Sequence, residues 1–305
     1  MKHFLDLASC STEELDNLLE TALLLKSEWR NGGNQPVLRD KTLGMIFQKP
    51  SLRTRVSFEM AMKHLGGSAI MLGPQEIGLG KRESVPDVAR VLSSYVDGIM
   101  ARVFDHSHVV ELAEFSRVPV INGLSDSYHP CQALADIMTI REVFGRLAGL
   151  RLAFVGDGNN VAASVALVCA HFGVTFSIAT PEGYEMKSSI REQAYELAEG
   201  NGSTLEMHTR PQQAVADADV IYTDTWVSMG QEAEAQERIG EFAGFQVNRD
   251  LLRFAKDDTI VMHCLPAHRG EEITDDVMDG PQSKVFEQAE NRMHAQKAVL
   301  TQLLA

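Results

Sequence analysis

The sequence predicts an α/β protein made of two doubly wound parallel-sheet domains. Apolar stretches of strand length alternate with amphipathic stretches of helix length along the whole chain, a pattern typical of parallel strands joined by crossover helices. The 305 residues are enough for two domains of ordinary size. Because Gly145-Arg-Leu-Ala-Gly149 interrupts the pattern at mid-chain, we expect one domain over residues 1–145 and a second over residues 146–286.

The strands are predicted where branched and aromatic residues cluster, four before this break and five after it. They are Thr42–Gln48, Ala69–Leu72, Gly98–Arg102, Pro119–Asn122, Arg151–Gly156, Thr175–Ala179, Thr204–Met207, Val220–Thr223 and Thr259–Met262.

The helices are predicted from apolar residues at helical spacing, and the first has a capping signature in which Glu14 follows Ser11 by three residues. The predicted helices are Thr12–Trp29, Arg55–Leu65, Val85–Tyr95, Val109–Phe115, Cys131–Phe144, Val161–Phe172, Lys187–Ala198 and Glu287–Leu304.

Composition narrows the class of partner. With 42 acidic against 28 basic residues the net charge is −14, which argues against a nucleic-acid backbone as the main partner. No apolar run approaches the ~20 residues that cross a bilayer, and Met1–Ser11 lacks the features of a signal peptide, so we expect a soluble cytoplasmic protein. The four cysteines are scattered and predict neither a disulfide framework nor a zinc cluster.

The most informative segment is Ser51-Leu-Arg-Thr-Arg55, which stands where a strand ends and a helix begins. Free backbone N–H groups at a helix start, hydroxyl donors and guanidinium groups together suit a phosphate dianion. Taken alone, the segment fits a capped helix with solvated arginines equally well.

Four further segments, in order along the chain, make the pattern specific. They are Met100-Ala-Arg-Val-Phe104, His129-Pro-Cys-Gln132, Asp224-Thr-Trp-Val-Ser-Met-Gly230 and His263-Cys-Leu-Pro266. With Ser51–Arg55, they resemble the motifs of the aspartate and ornithine carbamoyltransferase family over nearly the whole chain. The resemblance implies transfer of a carbamoyl group from carbamoyl phosphate to the side-chain amine of ornithine, with no metal and no cofactor.

The resemblance also implies the residues of a carbamoyl phosphate site, and it places the last helix, residues 287–305, against the first domain. Cys264, Arg102 and His129 are the expected catalytic residues, with His129 and Arg102 on the carbonyl oxygen and Gln132 on the carbamoyl amide. The full expected set is Ser51, Leu52, Arg53, Thr54, Arg102, His129, Gln132, Cys264, Leu265 and Arg292.

For ornithine the resemblance implies Asn160, Asp224, Ser228 and Met229. Asp224 is expected to orient the amine and to help accept its proton, because only the neutral amine is a nucleophile. Cys264 is expected beside the ornithine side chain and paired with Asp224.

Three alternatives stay open from the sequence. A carbamoyltransferase acting on putrescine, N-acetylornithine or N-succinylornithine would share the carbamoyl phosphate residues. An NAD-dependent dehydrogenase would also carry Gly156-x-Gly158, but the third glycine of the dinucleotide fingerprint is replaced by Val161. A catalytically inactive relative would keep the fold and lose the polar residues.

The chain departs from the family pattern in two places. Leu52 stands where threonine is common, and Gly78 stands where the family often has a glutamine that reaches the neighbouring subunit of a homotrimer. Gln75 or Lys81 is expected to take over that contact, since both are polar and lie near the tip of the same loop.

Overall fold

The computed structural model describes residues 1–228 and 230–305, and of Glu232 only the backbone. Residues Met1–Met138 and Asn291–Ala305 form one compact unit, here unit 1, and Thr139–Glu290 form the second, unit 2. The end of the last helix therefore belongs with the first part of the chain, as the resemblance implied. No helix in the described part of the chain is long and apolar enough to cross a membrane.

Unit 1 contains a four-stranded parallel sheet with the strand order β2-β1-β3-β4. Its strands are β1 (Thr42–Phe47), β2 (Ser68–Leu72), β3 (Gly98–Arg102) and β4 (Val120–Leu124). Its helices are α1 (Thr12–Arg30), α2 (Leu52–His64), α3 (Pro74–Ile77), α4 (Val85–Leu92) and α5 (His106–Phe115), and the helix α6 (Pro130–Phe144) begins in it.

Unit 2 contains a five-stranded parallel sheet with the strand order β7-β6-β5-β8-β9. Its strands are β5 (Arg151–Val155), β6 (Thr175–Ala179), β7 (Leu205–His208), β8 (Val220–Thr223) and β9 (Ile260–His263). Its helices are α7 (Asn160–His171), α8 (Ser188–Gly200), α9 (Pro211–Ala214), a 3₁₀ turn (Glu232–Glu234), α10 (Ala235–Glu241), α11 (Arg249–Leu252) and α12 (Asp275–Met278), and α13 (Val285–Leu304) begins in it.

All nine predicted strands are present, so the fold class is confirmed, while several helix ends are corrected by their caps. α2 begins at Leu52 instead of Arg55 because the Ser51 hydroxyl accepts from the backbone N–H of Thr54 at 3.3 Å. α5 begins at His106 instead of Val109 because Asp105 caps it. Apolar periodicity shows where a helix is buried, whereas the cap decides where it starts.

Register brings the functional segments together within each sheet. In unit 1, Phe47 at the end of β1 pairs with Arg102 at the end of β3. In unit 2, Val155 pairs with Thr223, and Thr223 pairs with His263. Because the strands are parallel, the loops that follow them leave from the same edge of each sheet, where open α/β sheets bind their ligands.

Candidate active site

In unit 1, the loop after β1 leads into the start of α2, where the sequence predicts a phosphate site. Ser51 caps the helix, and Leu52 leaves 75% of its side chain exposed, so its contribution is its backbone. Free N–H groups at a helix start carry a partial positive charge and suit a phosphate. The threonine that is common at position 52 in the family could donate a hydroxyl hydrogen bond, which Leu52 cannot.

The two arginines of this segment differ in their surroundings. Arg55 is exposed and its Nε contacts Glu59 Oε1 at 3.1 Å, one helical turn away. Arg53 is half-buried, and none of the carboxylates that the structure describes forms an ion pair with it. Only Arg53 therefore offers a charge that is not already neutralised by a neighbour.

Another arginine, distant in the sequence, contacts this turn. Arg292 on α13 is buried, and its Nη2 donates to Thr54 Oγ1 at 2.8 Å. Arg102 closes β3 and is also buried, with 8% of its surface exposed. Ser51–Thr54 and the two buried guanidinium groups of Arg102 and Arg292 therefore belong to the same unit.

His129 stands immediately before α6 and is 5% exposed. Burial lowers its pKa well below 6.5, and the guanidinium groups of Arg292 and Arg102 lower it further. The imidazole is therefore neutral at physiological pH. A neutral imidazole can still donate one N–H to an oxygen that gains negative charge.

Gln132 is fixed by a residue that the sequence reading did not single out. Its Nε2 donates to Asp136 Oδ1 at 2.8 Å, one turn further along α6. Its Oε1 is buried and has no hydrogen-bond partner in the described part of the chain. This arrangement leaves an acceptor that an amide N–H could use. The spacing of four residues on a helix could have revealed the pair from the sequence.

In unit 2, the loop after β5 and the loop after β8 are tied together by Asn159 and Asp224. Asn159 caps α7, its Oδ1 accepting from Val161 and Ala162, while its Nδ2 donates to Asp224 Oδ2 at 2.9 Å. Asn159 is thereby committed to structure, and Asn160, the predicted ligand, is the first residue of the helix.

Asp224 also contacts the expected cysteine. Cys264 Sγ donates to Asp224 Oδ1 at 3.0 Å, and both residues are buried. Ser228 lies in the same segment, where a turn joins it to Gln231. Met229, the remaining predicted ornithine residue, lies outside the described residues.

A buried ion pair missed by the sequence reading supports this segment. Arg238 on α10 pairs with Asp157 in the loop after β5, and its Nε donates to the backbone carbonyl of Trp226 at 2.6 Å. Burial raises the pKa of Asp157 to about 6; the charge of Arg238 opposes that rise and the charge of Asp224 adds to it. No local sequence pattern indicates a partner that lies 81 residues away.

Among the residues that the structure describes, two groups of side chains have potential metal-ligand atoms close together: Asp224 with His263 and Cys264, and His268 with Glu271 and Glu272. In the first group, both ring nitrogens of His263 are already used. Its Nδ1 accepts from the Leu265 backbone N–H at 2.9 Å, and its Nε2 lies 3.0 Å from Glu272 Oε1.

The dinucleotide alternative also meets an obstacle at Gly158. A side-chain Cβ at this position would lie 2.2 Å from the backbone N of Met186, and the Gly158 N–H donates to the Tyr184 carbonyl at 2.8 Å. The close approach that this glycine permits is thus made by the chain's own backbone and not left for a pyrophosphate.

The departure at Gly78 has a conformational reason. Gly78 ends α3 in the left-handed region, with φ +59°, and a Cβ there would lie 2.7 Å from Arg82 Cβ. A glutamine would be strained in this turn. Gln75 and Lys81, the predicted substitutes, are both exposed.

Comparison with known proteins finds relatives over nearly the whole chain. Residues 2–142 match the family model "Aspartate/ornithine carbamoyltransferase, carbamoyl-P binding domain", and residues 148–303 match "Aspartate/ornithine carbamoyltransferase, Asp/Orn binding domain". An ornithine carbamoyltransferase of Anoxybacillus flavithermus is 53% identical over 303 residues, which cover 99% of this chain and 96% of that protein. An anabolic ornithine carbamoyltransferase of Pyrococcus furiosus is 55% identical over 299 residues, covering 98% and 95%.

The solved structures that resemble this chain are also of ornithine carbamoyltransferases. The ornithine carbamoyltransferase structure from Pyrococcus furiosus has a TM-score of 0.97 and 54% identity, covering 99% of this chain and 97% of that one. The anabolic enzyme of Campylobacter jejuni has a TM-score of 0.93 and 40% identity, covering 99% of each chain.

Proposed function

The chain belongs to the aspartate/ornithine carbamoyltransferase family, and we propose that it transfers the carbamoyl group of carbamoyl phosphate to the side-chain amine of L-ornithine, giving L-citrulline and phosphate. The observation that carries the choice of acceptor is the contact between Cys264 and Asp224 at 3.0 Å. An acidic residue beside a thiol suits an amine, whereas aspartate would bring a second carboxylate to it.

We assign carbamoyl phosphate to the residues of unit 1. Ser51, Leu52, Arg53 and Thr54 bind the phosphate through the start of α2, and Arg102 and Arg292 add buried positive charge. His129, held neutral, donates to the carbonyl oxygen, and the unpartnered Oε1 of Gln132 accepts from the carbamoyl amide. On the family pattern, Cys264 and Leu265 complete this set.

We assign ornithine to Asn160, Asp224, Ser228 and Met229. The reaction needs the neutral amine, so Asp224 orients the amine and helps take its proton while Cys264 fixes the direction of attack. The nitrogen attacks the carbonyl carbon, the resulting oxyanion is stabilised by His129 and Arg102, and the bond from that carbon to the phosphate oxygen then breaks. No step in this scheme calls on a metal or a cofactor.

A single assay tests the activity and the acceptor. The purified protein should form citrulline from carbamoyl phosphate and ornithine without added cofactor. Parallel reactions with putrescine, N-acetylornithine, N-succinylornithine and aspartate should be slower by orders of magnitude in kcat/KM. Preference for one of these acceptors would replace ornithine in the proposal, and lack of turnover with all of them would refute carbamoyl transfer.

We further propose a cytoplasmic homotrimer working in the direction of citrulline synthesis for arginine. Two of the similar proteins are described as anabolic, which supports the direction. The trimer is supported by the family pattern of the Gly73–Glu83 loop, whose exposed Gln75 and Lys81 could reach a neighbouring subunit. Light scattering of the purified protein gives the mass of the assembly, and initial rates in both directions give the preferred one.

A further inference from the structure

The segment that carries Cys264 and Leu265 is held at both ends by one carboxylate oxygen. Glu272 is fully buried, and its Oε1 accepts from the backbone N–H of His268 at 2.6 Å. The same Oε1 lies 3.0 Å from His263 Nε2. His263 stands immediately before Cys264 and His268 follows Leu265 by three residues, so Glu272 fixes the chain on either side of them.

The hydrogen bonds determine which nitrogen of His263 carries the proton. The Leu265 backbone N–H donates to His263 Nδ1 at 2.9 Å, so this nitrogen must be an acceptor. The proton of the neutral ring is therefore on Nε2, from which it is donated to Glu272. Glu272 acts on Leu265 through the ring of His263, because it selects the tautomer that can hold the Leu265 N–H.

The backbone of Leu265 needs this support. Its φ is +59°, in the left-handed region that leucine rarely adopts. The bond from its N–H to His263 helps to maintain that conformation. The neighbouring Cys264 is thereby kept with its Sγ 3.0 Å from Asp224 Oδ1.

A further link joins this segment to the one that follows Asp224. The hydroxyl of Thr225 donates to the Val227 carbonyl at 3.0 Å, and the same oxygen lies 3.0 Å from His268 Nδ1. Because the hydroxyl proton is already used, the oxygen accepts from the imidazole. His268, whose backbone is held by Glu272, thus contacts the second ligand-bearing loop of unit 2.

We propose that Glu272 is a positioning residue for carbamoyl transfer: through His263 and the backbone of His268 it sets the conformation of Cys264 and Leu265 against Asp224. The proposal rests on the proposed function, and it names a residue outside the motifs that suggested that function. The positioning depends on Glu272 Oε1 as a hydrogen-bond acceptor, because both hydrogen bonds are made to that atom.

The test compares four variants of the full-length protein in the citrulline assay. Glu272→Leu removes the acceptor and should lower kcat/KM for ornithine by about 10- to 100-fold, as is usual when a partner that orients an active-site group is lost. Glu272→Gln keeps Oε1 and should remain within about fivefold of wild type, because both hydrogen bonds can still form. Glu272→Asp withdraws the oxygen by one methylene and should fall between them. Glu271→Leu removes a neighbouring carboxylate and is the matched control.

Inorganic phosphate serves as a probe of unit 1. Its inhibition constant against carbamoyl phosphate should change by less than about twofold in every variant, because the hydrogen bonds of Glu272 are made to His263 and His268, which both lie in unit 2. A loss of stability alone would leave kcat/KM unchanged below the unfolding temperature. A purely structural role of Glu272 would also leave the Glu272→Gln and Glu272→Leu variants equally active.

A double-variant cycle shows whether the effect passes through Cys264. In a Cys264→Ala background, Glu272→Leu should cost less than about threefold, since residues that act through one another are not additive. If Glu272→Leu does not fold, Glu272→Asp carries the decision. Normal kinetics of a folded Leu or Asp variant, equal losses in Gln and Leu, or fully multiplicative losses with Cys264→Ala would each overturn the proposal. A wild-type protein that forms no citrulline would instead refute the proposed function.

Discussion

Replacing Arg53 by alanine tests the proposed phosphate site against a control that lies two residues away. Arg53 is half-buried at the start of α2 and has no ion-pair partner among the carboxylates described by the structure, whereas Arg55 on the exposed face is paired with Glu59 at 3.1 Å. If the site binds phosphate, only the first change removes a contact to the substrate.

The expected size of the loss follows from the contacts that one guanidinium can make. A charge-assisted hydrogen bond contributes about 1.5–3 kcal/mol, and an arginine bound to phosphate commonly makes two. Arg53 is half-exposed, and the backbone N–H groups at the start of α2 still bind the phosphate in the variant. Both effects reduce the loss, so we expect the alanine variant to lose about 3–4 kcal/mol of transition-state binding. With about 1.4 kcal/mol per factor of ten, kcat/KM for carbamoyl phosphate should fall by about 100- to 1,000-fold.

Arg55→Ala should behave differently because exposed ion pairs contribute only about 0–1 kcal/mol and this one contacts no proposed ligand. Initial rates at saturating ornithine, with thermal unfolding as a check on folding, compare the two variants. Equal losses in both, or an Arg53→Ala enzyme within about threefold of wild type, would show that the start of α2 does not bind the phosphate.

Three further predictions concern the acceptor, the assembly and stability. Cys264→Ser should keep the fold and weaken ornithine use by about tenfold or more, since serine lacks the polarisable thiol, while the inhibition constant of inorganic phosphate stays the same. A loss confined to carbamoyl phosphate binding would contradict the role of Cys264 beside the ornithine amine. A Gln75→Ala, Lys81→Ala double variant should be weakly active. Mixing it with the Arg53→Ala variant under conditions of subunit exchange should restore part of the activity, because some neighbouring subunits then combine an intact loop with an intact phosphate pocket. No recovery would exclude a shared site. Burial and nearby cations lower the pKa of His294 from 6.5 to about 3, so its contribution to stability is present above pH 6.5 and is lost as the pH falls toward 3. In urea unfolding followed by circular dichroism, the free energy of unfolding of wild type should fall by about 1.4 kcal/mol per pH unit more than that of His294→Met between pH 6 and 4, and parallel curves would contradict this.

The local sequence was sufficient for the fold class, which depends on short-range patterns, whereas the candidate site residues came from the resemblance of five short motifs to a known family. Branched residues in runs gave all nine strands, and parallel strands place the loops that follow them at one edge. The side chains of Arg102, His129, Asp224 and Cys264 therefore stand at strand ends or helix starts, as expected. The short helices α3 and α9 to α12 were missed, since one or two turns carry too little periodicity to be recognised.

Other features were decided only when distant parts of the chain met. Thr54 and Arg292 are 238 residues apart, and no pattern near either residue indicates that they share a hydrogen bond. The same holds for Arg238, whose partner Asp157 belongs to another loop. Such pairs depend on which helix packs beside which strand, and that is a property of the whole unit.

The sequence by itself therefore determined the two parallel sheets, and its motifs, through their resemblance to the family, predicted the chemical groups at the sheet edges, including the Ser51–Arg55 turn and the Asp224–Cys264 pair. Only the tertiary structure decided which of these groups are held in place, and by what. No motif in the sequence singles out Glu272, yet it is fully buried and accepts hydrogen bonds from His263 and from the backbone of His268, on either side of Cys264 and Leu265. The reason is physical: a residue's type fixes what it can donate or accept, but the partners and the burial that give those bonds their strength come from register and packing.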